Sequence, residues 1–314
     1  MSPLQKLTTE VSSANAHLFA PRAAYRFTDI EGNVSTNDDQ TAGQNPPYGA
    51  AINYWLKSAH DSASRVSISI LDAAGNTIRT VRGTGRAGIN RVYWNLRNDS
   101  SAAVRMRTKP SFNAEFEMSR DSTRVAPQMT RMSVLMPPGS YTVRLTADGQ
   151  TYDAPLEVRR DPNTTPSDQE IRASTDMLLA IQKDLSTTAN ILGSIERLRA
   201  QLQRVSGGSD VRAQADAVEK KLMALEENIV DLRMTGRGQD EVRYPVKLGG
   251  QLNYLAGGIS ASDFSPTDQQ REVQLLLSKQ VADTRAALDR IQQTDVATFN
   301  QMLSAKGLKP IDTK

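Results

Sequence analysis

Near residue 160 the spacing of apolar residues changes from two to a mixture of three and four, and no single regular element satisfies both. Upstream, Val66-Ser67-Ile68-Ser69-Ile70 alternates strictly, which puts Val66, Ile68 and Ile70 on one face of a strand. Downstream, Val211, Ala215, Val218, Leu222, Leu225, Ile229 and Leu232 step by four and three throughout, the seam of an amphipathic helix. The chain is therefore expected to be α+β, with strands and helices in separate parts. Its 314 residues suit two domains of ~100–200 residues each.

Residues 1–48 are polar and irregular and read as an arm or linker, with His17-Leu18-Phe19-Ala20-Pro21 as one strand-like patch, a loop over Glu31–Asn45 and Pro46-Pro47 setting an extended entry. Residues 49–160 read as antiparallel β. The expected strands are Ala51–Leu56, Val66–Ile70, Thr77–Arg82, Asn90–Asn95, Tyr141–Leu145 and Ala154–Val158. Turns are expected at Asp72-Ala73-Ala74-Gly75-Asn76, at Pro137-Pro138-Gly139 and at Asp148-Gly149. Short strands at this spacing suggest a sandwich, with residues 97–136 as a long excursion from it.

Residues 161–314 read as an antiparallel α-helical bundle. A first helix is expected from Pro166 to Val205, with Thr165 as N-cap. Its stripe is Ile171, Leu178, Ile181, Leu185, Leu192, Ile195, Leu202 and Val205, all but Val205 on one seven-residue frame in which Ser174, Thr188 and Arg199 are weak positions. Gly207-Gly208 stops it. The second helix ends at Gly236 and Gly238. Val246–Leu255 reads as a short helix or a bent strand ended by Gly257-Gly258, and a last helix runs from Pro266 to about Ala305 on Val273, Leu277, Thr284, Leu288, Ile291 and Phe299. Ser265-Pro266-Thr267-Asp268 repeats Thr165-Pro166-Ser167-Asp168, through an old duplication or through two good caps converging. The short links favour pairing within the chain over an intermolecular coiled coil.

Composition excludes several chemistries. There is no cysteine, so no disulfide, thiolate metal site or cysteine nucleophile, and two histidines are too few for the usual histidine metal site or triad. A net charge of +3 gives no excess pointing to nucleic acid, and no apolar run reaches a membrane span. Met1–Glu10 is polar and lacks the apolar core of a signal peptide. His60-Asp61 reads as a solvated pair and Asn37-Asp38-Asp39 lacks calcium-loop spacing. Asp99, Glu115, Glu117 and Asp121 are scattered acids, whereas a glycosidase needs two carboxylates across one cleft. Gly83-Thr84-Gly85-Arg86-Ala87-Gly88 lacks the Lys-Ser/Thr ending of a phosphate loop and reads as a turn. Arg97, Arg105, Arg107, Lys109, Arg120, Arg124 and Arg131, with Phe112 and Phe116 interleaved, offer the charge and stacking of a groove for single-stranded nucleic acid, but acids are mixed in, which favours a solvated loop packed on a partner domain. No catalytic residue, metal ligand or cofactor-binding residue is assigned. The candidate ligand or partner contacts are Tyr54, Trp55, Tyr93 and Trp94, of which one member of each pair should face the core and the other solvent.

Three stretches resemble an Ig-like module of the flagellar-hook-capping type: Val66–Thr80 with its Asp-x-x-Gly hairpin, Gly88–Arg97 with Gly-x-Asn-x-Val-x-Trp, and Pro137–Leu145 with Pro-Gly-x-Tyr-x-Val. The excursion is longer than in that type. The wider order of motifs resembles the C-terminal region of exported bacterial proteins with sortilin-like or sialidase-like BNR β-propellers, often described as glycosyl hydrolases. That likeness is carried by Leu4–Arg26, Asn45-Pro46-Pro47-Tyr48-Gly49-Ala50, the strands and Arg160-Asp161-Pro162-Asn163. No Ser-x-Asp-x-Gly-x-Thr-Trp box or blade repeat is present, so no propeller residue carries over. The resemblance implies a non-catalytic accessory module, periplasmic or extracellular, that packs on a β-propeller in the same or another chain. It also implies that the chain is a fragment, a split protein or one with a misread start. A carbohydrate-binding module that meets glycans is the alternative reading, and a glycoside hydrolase the remaining one.

Overall fold

A computed structural model describes residues 3–27, 47–60, 66–235 and 239–313. The Glu31–Asn45 loop, Pro46, Asn37-Asp38-Asp39, Asp61, Gly236 and Gly238 lie outside the described residues. The chain divides into two compact units. The first comprises Met1–Asp99, Ser133–Thr175 and Ser262–Ser265; the second comprises Ser100–Met132, Asp176–Ala261 and Pro266–Lys314. Strands dominate the first and helices the second, so the segregation expected from the change of period is present.

The first unit begins with a 3₁₀ turn, Pro3–Lys6, and a short helix α1, Thr9–Ser13. Strands β1 (Ala16–Leu18), β3 (Ala50–Leu56) and β6 (Gly88–Trp94) form an antiparallel sheet in the order β1-β3-β6. Strands β2 (Ala24–Arg26), β4 (Val66–Leu71), β5 (Thr77–Arg82), β9 (Gly139–Ala147) and β10 (Gln150–Arg160) form a second sheet in the order β2-β10-β9-β4-β5. The expectation of purely antiparallel strands is corrected here. β2 comes from the polar arm and pairs parallel with β10, Ala24 beside Val158, so the second sheet is mixed. A chain that has just crossed from the first sheet along β1 reaches that edge in the direction of β10.

Alternation decides which side chains are buried. Ile52, Tyr54, Leu56, Ile68, Ile70, Val143, Leu145 and Leu156 belong to one apolar cluster fed by both sheets. The hairpin β9–β10 has Asp148 and Gly149 at φ 50° and 78°, the two positive angles that a tight two-residue turn requires. Gly49 is at φ +110°, and a Cβ there would lie 2.0 Å from the Trp94 carbonyl oxygen, so only glycine lets β3 start against β6. The neck of the excursion is zipped by Met136 N–H to the Leu96 carbonyl (2.8 Å) and Asn98 N–H to the Val134 carbonyl (3.0 Å).

In the second unit, residues 100–132 carry a two-stranded ribbon, β7 (Arg105–Met106) with β8 (Arg124–Val125). The helices are α2 (Asp168–Leu202, whose first turns belong to the first unit), α3 (Ser209–Glu226), α4 (Asp240–Arg243), α5 (Leu248–Ser260), α6 (Asp268–Ile291) and α7 (Ala297–Ala305). A π-helical stretch, Gln292–Val296, joins the last two. Asp210 pairs with Lys306 and Lys221 with Asp295, so α3 runs opposite to α7. The expected stripes of α2 and α3 are buried, including Ile229 and Leu232 beyond the end of α3 and except for the half-buried Val205, whereas along α6 and α7 Leu277, Thr284, Leu288 and Phe299 are buried, Ile291 is half-buried and Val273 is exposed.

The caps differ from expectation. Ser167 rather than Thr165 caps α2: its Oγ accepts from Glu170 N–H at 3.3 Å, and the Glu170 carboxylate accepts from Ser167 N–H at 2.8 Å. Thr267 and Gln270 do the same for α6. The reciprocal Ser/Thr-x-x-Glu/Gln bonding satisfies two orphan groups at once, so the helix starts after the proline in both places. Gly257-Gly258 does not end α5, which continues to Ser260.

Candidate functional site

The four strand aromatics separate by alternation. Tyr54 and Trp94 are fully buried. The Tyr54 hydroxyl donates to the Thr84 carbonyl and accepts from Thr84 N–H, both at 2.6 Å. It thereby pins the Gly83–Gly88 turn, whose other anchor is Asn90, bonded to Thr84 Oγ1 and the Arg86 carbonyl at 2.7 Å. Burial raises the pKa of Tyr54. Trp94 donates its indole N–H to the Arg97 carbonyl at 2.8 Å and packs edge-on against Tyr141 at 5.2 Å. These two rings serve the fold. Trp55 and Tyr93 point the other way and are half-buried. Trp55 Nε1 donates to the Ala14 carbonyl at 3.3 Å.

The same outward row holds Asn53 and Arg91, which face one another across β3 and β6. Arg91 Nε donates to Asn53 Oδ1 at 2.7 Å. Beside them lies a cleft of about 380 Å³, bounded by Lys6, Arg22, Arg91, Asn53, Phe19 and the small residues of the Gly49–Ala51 segment. His17, on β1, has its pKa lowered first by burial and second by the charge of Lys6. His60 pairs with Asp148, Nδ1 to Oδ1 at 3.2 Å, closing two loops of the first unit.

The second unit contains a buried charge cluster that no motif in the sequence announces. Glu196 and Arg199, one turn apart on α2, and Glu226, the last residue of α3, are almost wholly enclosed. Arg199 Nη1 donates to Glu226 Oε2 at 2.6 Å and to Glu196 Oε1 at 3.3 Å. The Glu196 carboxylate also accepts from the backbone N–H of Arg107, from Thr108 N–H (2.8 Å) and from Thr108 Oγ1 (2.7 Å). Arg124, on β8, donates instead to the carbonyls of Thr108 (2.9 Å) and Met234 (2.8 Å). Burial is the largest influence on Glu226, followed by the charge of Glu196 and a hydrogen bond with it, and all three push its pKa well above the carboxylate range. Glu219 approaches Arg199 Nη2 at 3.5 Å, so three carboxyls face Arg199 and the more distant Arg124. The carboxyls of Glu196 and Glu226 have no exposed surface, so the cluster holds α2, α3 and the excursion together rather than meeting a substrate.

That location also corrects the reading of the excursion as a solvated segment. Arg124 is buried while Phe112 is 98% exposed. Asp121 is exposed, and hydrogen bonds from Ser119 and Thr123 lower its pKa. Among the described residues no three histidine or acidic side chains converge on a metal site, and no helix is long and apolar enough to cross a membrane.

A last feature lies on α5 and α6. Val246, Tyr254, Val273 and Leu276 line a groove of about 880 Å³ together with Gln251, Gln269, Gln270 and Gln280, and among the described residues no charged side chain lines it. Tyr254 is 85% and Leu276 56% exposed, and Leu275 on the same helix is 68% exposed. No protein-family model matches this chain, and no curated protein matches it as a relative.

Proposed function

We propose that this chain is a non-catalytic accessory module of an exported protein, periplasmic or extracellular, and that it docks on a β-propeller in the same or another chain. The observation that carries the reading is the uncharged groove on α5 and α6 with Tyr254, Leu275 and Leu276 exposed beside it. Exposed apolar surface interspersed with amides and depleted of charged side chains is the usual composition of the core of a protein interface. For the first unit we propose an Ig-like sandwich of the hook-capping type. Its support is the shared core of the two sheets and the Tyr141 hydroxyl, which donates back to the Pro137 carbonyl at 2.6 Å, as a tyrosine corner does.

Peptide mapping of the native protein in its source cells tests the context, since propeller peptides upstream of Met1 or in a co-purifying chain are expected. Titration with that propeller tests the surface. The double variant Tyr254→Glu and Leu276→Glu should weaken association by about thirtyfold or more, the scale of a central aromatic anchor. Two folded partners that fail to associate at high micromolar concentration would overturn the proposal. The second reading, a carbohydrate-binding module, is favoured by Trp55 and Tyr93 on the outward face. Because Trp94 is enclosed, a change in tryptophan fluorescence on adding glycans would report Trp55.

A further inference from the structure

The cleft of the first unit lies where the chain crosses from β1 to β2, and three independent features of it agree. Its charged lining is Lys6, Arg22 and Arg91, and among the described residues no carboxylate lines it. None of the three cations enters an ion pair among the described residues. Gathering like charge on one concave surface without a counter-charge is unfavourable for the fold itself, and it focuses a positive potential into the space between.

The second feature is orientation. Asn53 takes the Nε–H of Arg91 at 2.7 Å, and the register of β3 with β6 sets Asn53 directly opposite Arg91. The two Nη groups carry no hydrogen bond among the described residues, so the guanidinium stands as an unoccupied fork. The third is shape. The volume of about 380 Å³ falls within the roughly 300–1,000 Å³ of small-molecule sites. Its walls are the buried Phe19 ring and alanine or glycine at positions 20, 23, 24 and 49–51, which leave room close to the backbone.

We propose that this cleft binds a small organic anion bearing at least two oxyanion groups, carboxylate or phosphate. The Arg91 fork takes one group and Lys6 and Arg22 take the other. The proposal concerns a different unit from the docking groove and does not depend on it.

Calorimetric titration of the whole chain at low salt with pyrophosphate as the phosphate probe, and with citrate as the carboxylate probe, tests it. Saturable binding is expected for at least one, weakening as sodium chloride rises because exposed charges are screened. The tighter probe names the oxyanion. A Lys6→Met, Arg22→Met, Arg91→Met variant should lose about tenfold or more in affinity, the value of one to two charge-assisted hydrogen bonds. Arg22→Met alone, at an exposed position, serves if the triple variant melts below the parent chain. Asn53→Ala should weaken binding less than Arg91→Met, because Asn53 only orients the fork. No saturable binding of either probe, or binding that the Arg22 and triple variants leave unchanged, would overturn the proposal.

Discussion

Arg199→Met tests the charge cluster of the second unit. The Arg199 side chain is 5% exposed and sits 2.6 Å from Glu226 and 3.3 Å from Glu196, both enclosed. Methionine keeps most of the stem but removes the shared cation. Removing one member of a buried pair costs about 3–5 kcal/mol, because the remaining charge stays desolvated. At about 2–4 °C per kcal/mol for a unit of this size, Tm should fall by about 6–20 °C. The deficit depends on pH. Glu226 is raised in the folded state, and Arg199 opposes that rise. A carboxyl raised on folding contributes its full stability below its unfolded pKa, and that contribution is lost as pH rises through the folded value. Without Arg199 the folded value climbs further, so the variant should lie nearest the parent at about pH 4.5 and fall further behind toward pH 8. The widening is ~1.36 kcal/mol for each pH interval of one by which the Glu226 titration midpoint moves up. Glu226→Gln keeps an acceptor for Arg199 and removes the titration. It should equal or exceed the parent at pH 8, and combining it with Arg199→Met should recover part of the loss, a coupling that a double-mutant cycle measures. The assay is thermal melting followed at 222 nm across that range. A variant melting within about 2 °C of the parent at pH 8, or a deficit constant with pH, would refute the reasoning.

Three further perturbations test other parts of the molecule. Leu222→Asp puts an unpaired charge at a fully buried position of α3 and should cost several kcal/mol, seen as loss of helical signal at 222 nm; an unchanged melt would contradict the packing. Gly49→Ala places a Cβ against the Trp94 carbonyl at a backbone angle that alanine rarely adopts, and should destabilise by about 1–3 kcal/mol in urea unfolding. Lys6→Met should raise the pKa of His17 toward 6.5, because Lys6 is the second cause of its depression after burial. With two histidines in the chain, ring-proton NMR reads His17 directly, and an unmoved titration would refute the placement of Lys6.

Local pattern carries most of the element positions. β4 falls where alternation puts it because Val66, Ile68 and Ile70 face the core, and a one-residue slip would expose Ile68 and Ile70; β5 buries no residue fully and packs only the half-buried Ile78 and Val81 against that core. The heptad stripes of α2 and α3 are legible for the same reason. What escapes is non-local. Nothing in the polar arm announces that Ala24–Arg26 adds a parallel edge strand to a partner far along the chain. Taking proline as the first helical position starts both helices two residues early, because the reciprocal Ser167–Glu170 and Thr267–Gln270 bonds begin the helix after it. Glycine at 257–258 carries too small a penalty, about 1 kcal/mol each, to end α5.

The charge cluster shows where a sequence pattern stops being informative. Ser174, Thr188 and Arg199 are visible as polar interruptions of the α2 frame, and all three are buried. Ser174 and Thr188 need no distant partner, since a hydroxyl can bond the preceding helical turn, as Thr188 does with the Asp184 carbonyl. Arg199 cannot be satisfied that way. Its guanidinium has five donors and a full charge, so a heptad position occupied by arginine demands carboxylates from another element. The sequence holds many acids, and only the fold selects Glu226 at the end of α3 and aligns Thr108 from the excursion to hold Glu196. A basic residue on an otherwise apolar stripe therefore predicts that a buried counter-charge exists without naming it. The converse holds at the cleft of the first unit. Lys6, Arg22 and Arg91 stand far apart in the chain and belong to no motif, and only the crossing from β1 to β2 makes them neighbours around one space. In the second unit the fold answers the buried cation with carboxylates of its own, whereas at the cleft of the first no carboxylate among the described residues faces the three cations, which is why the counter-charge there is expected from a ligand.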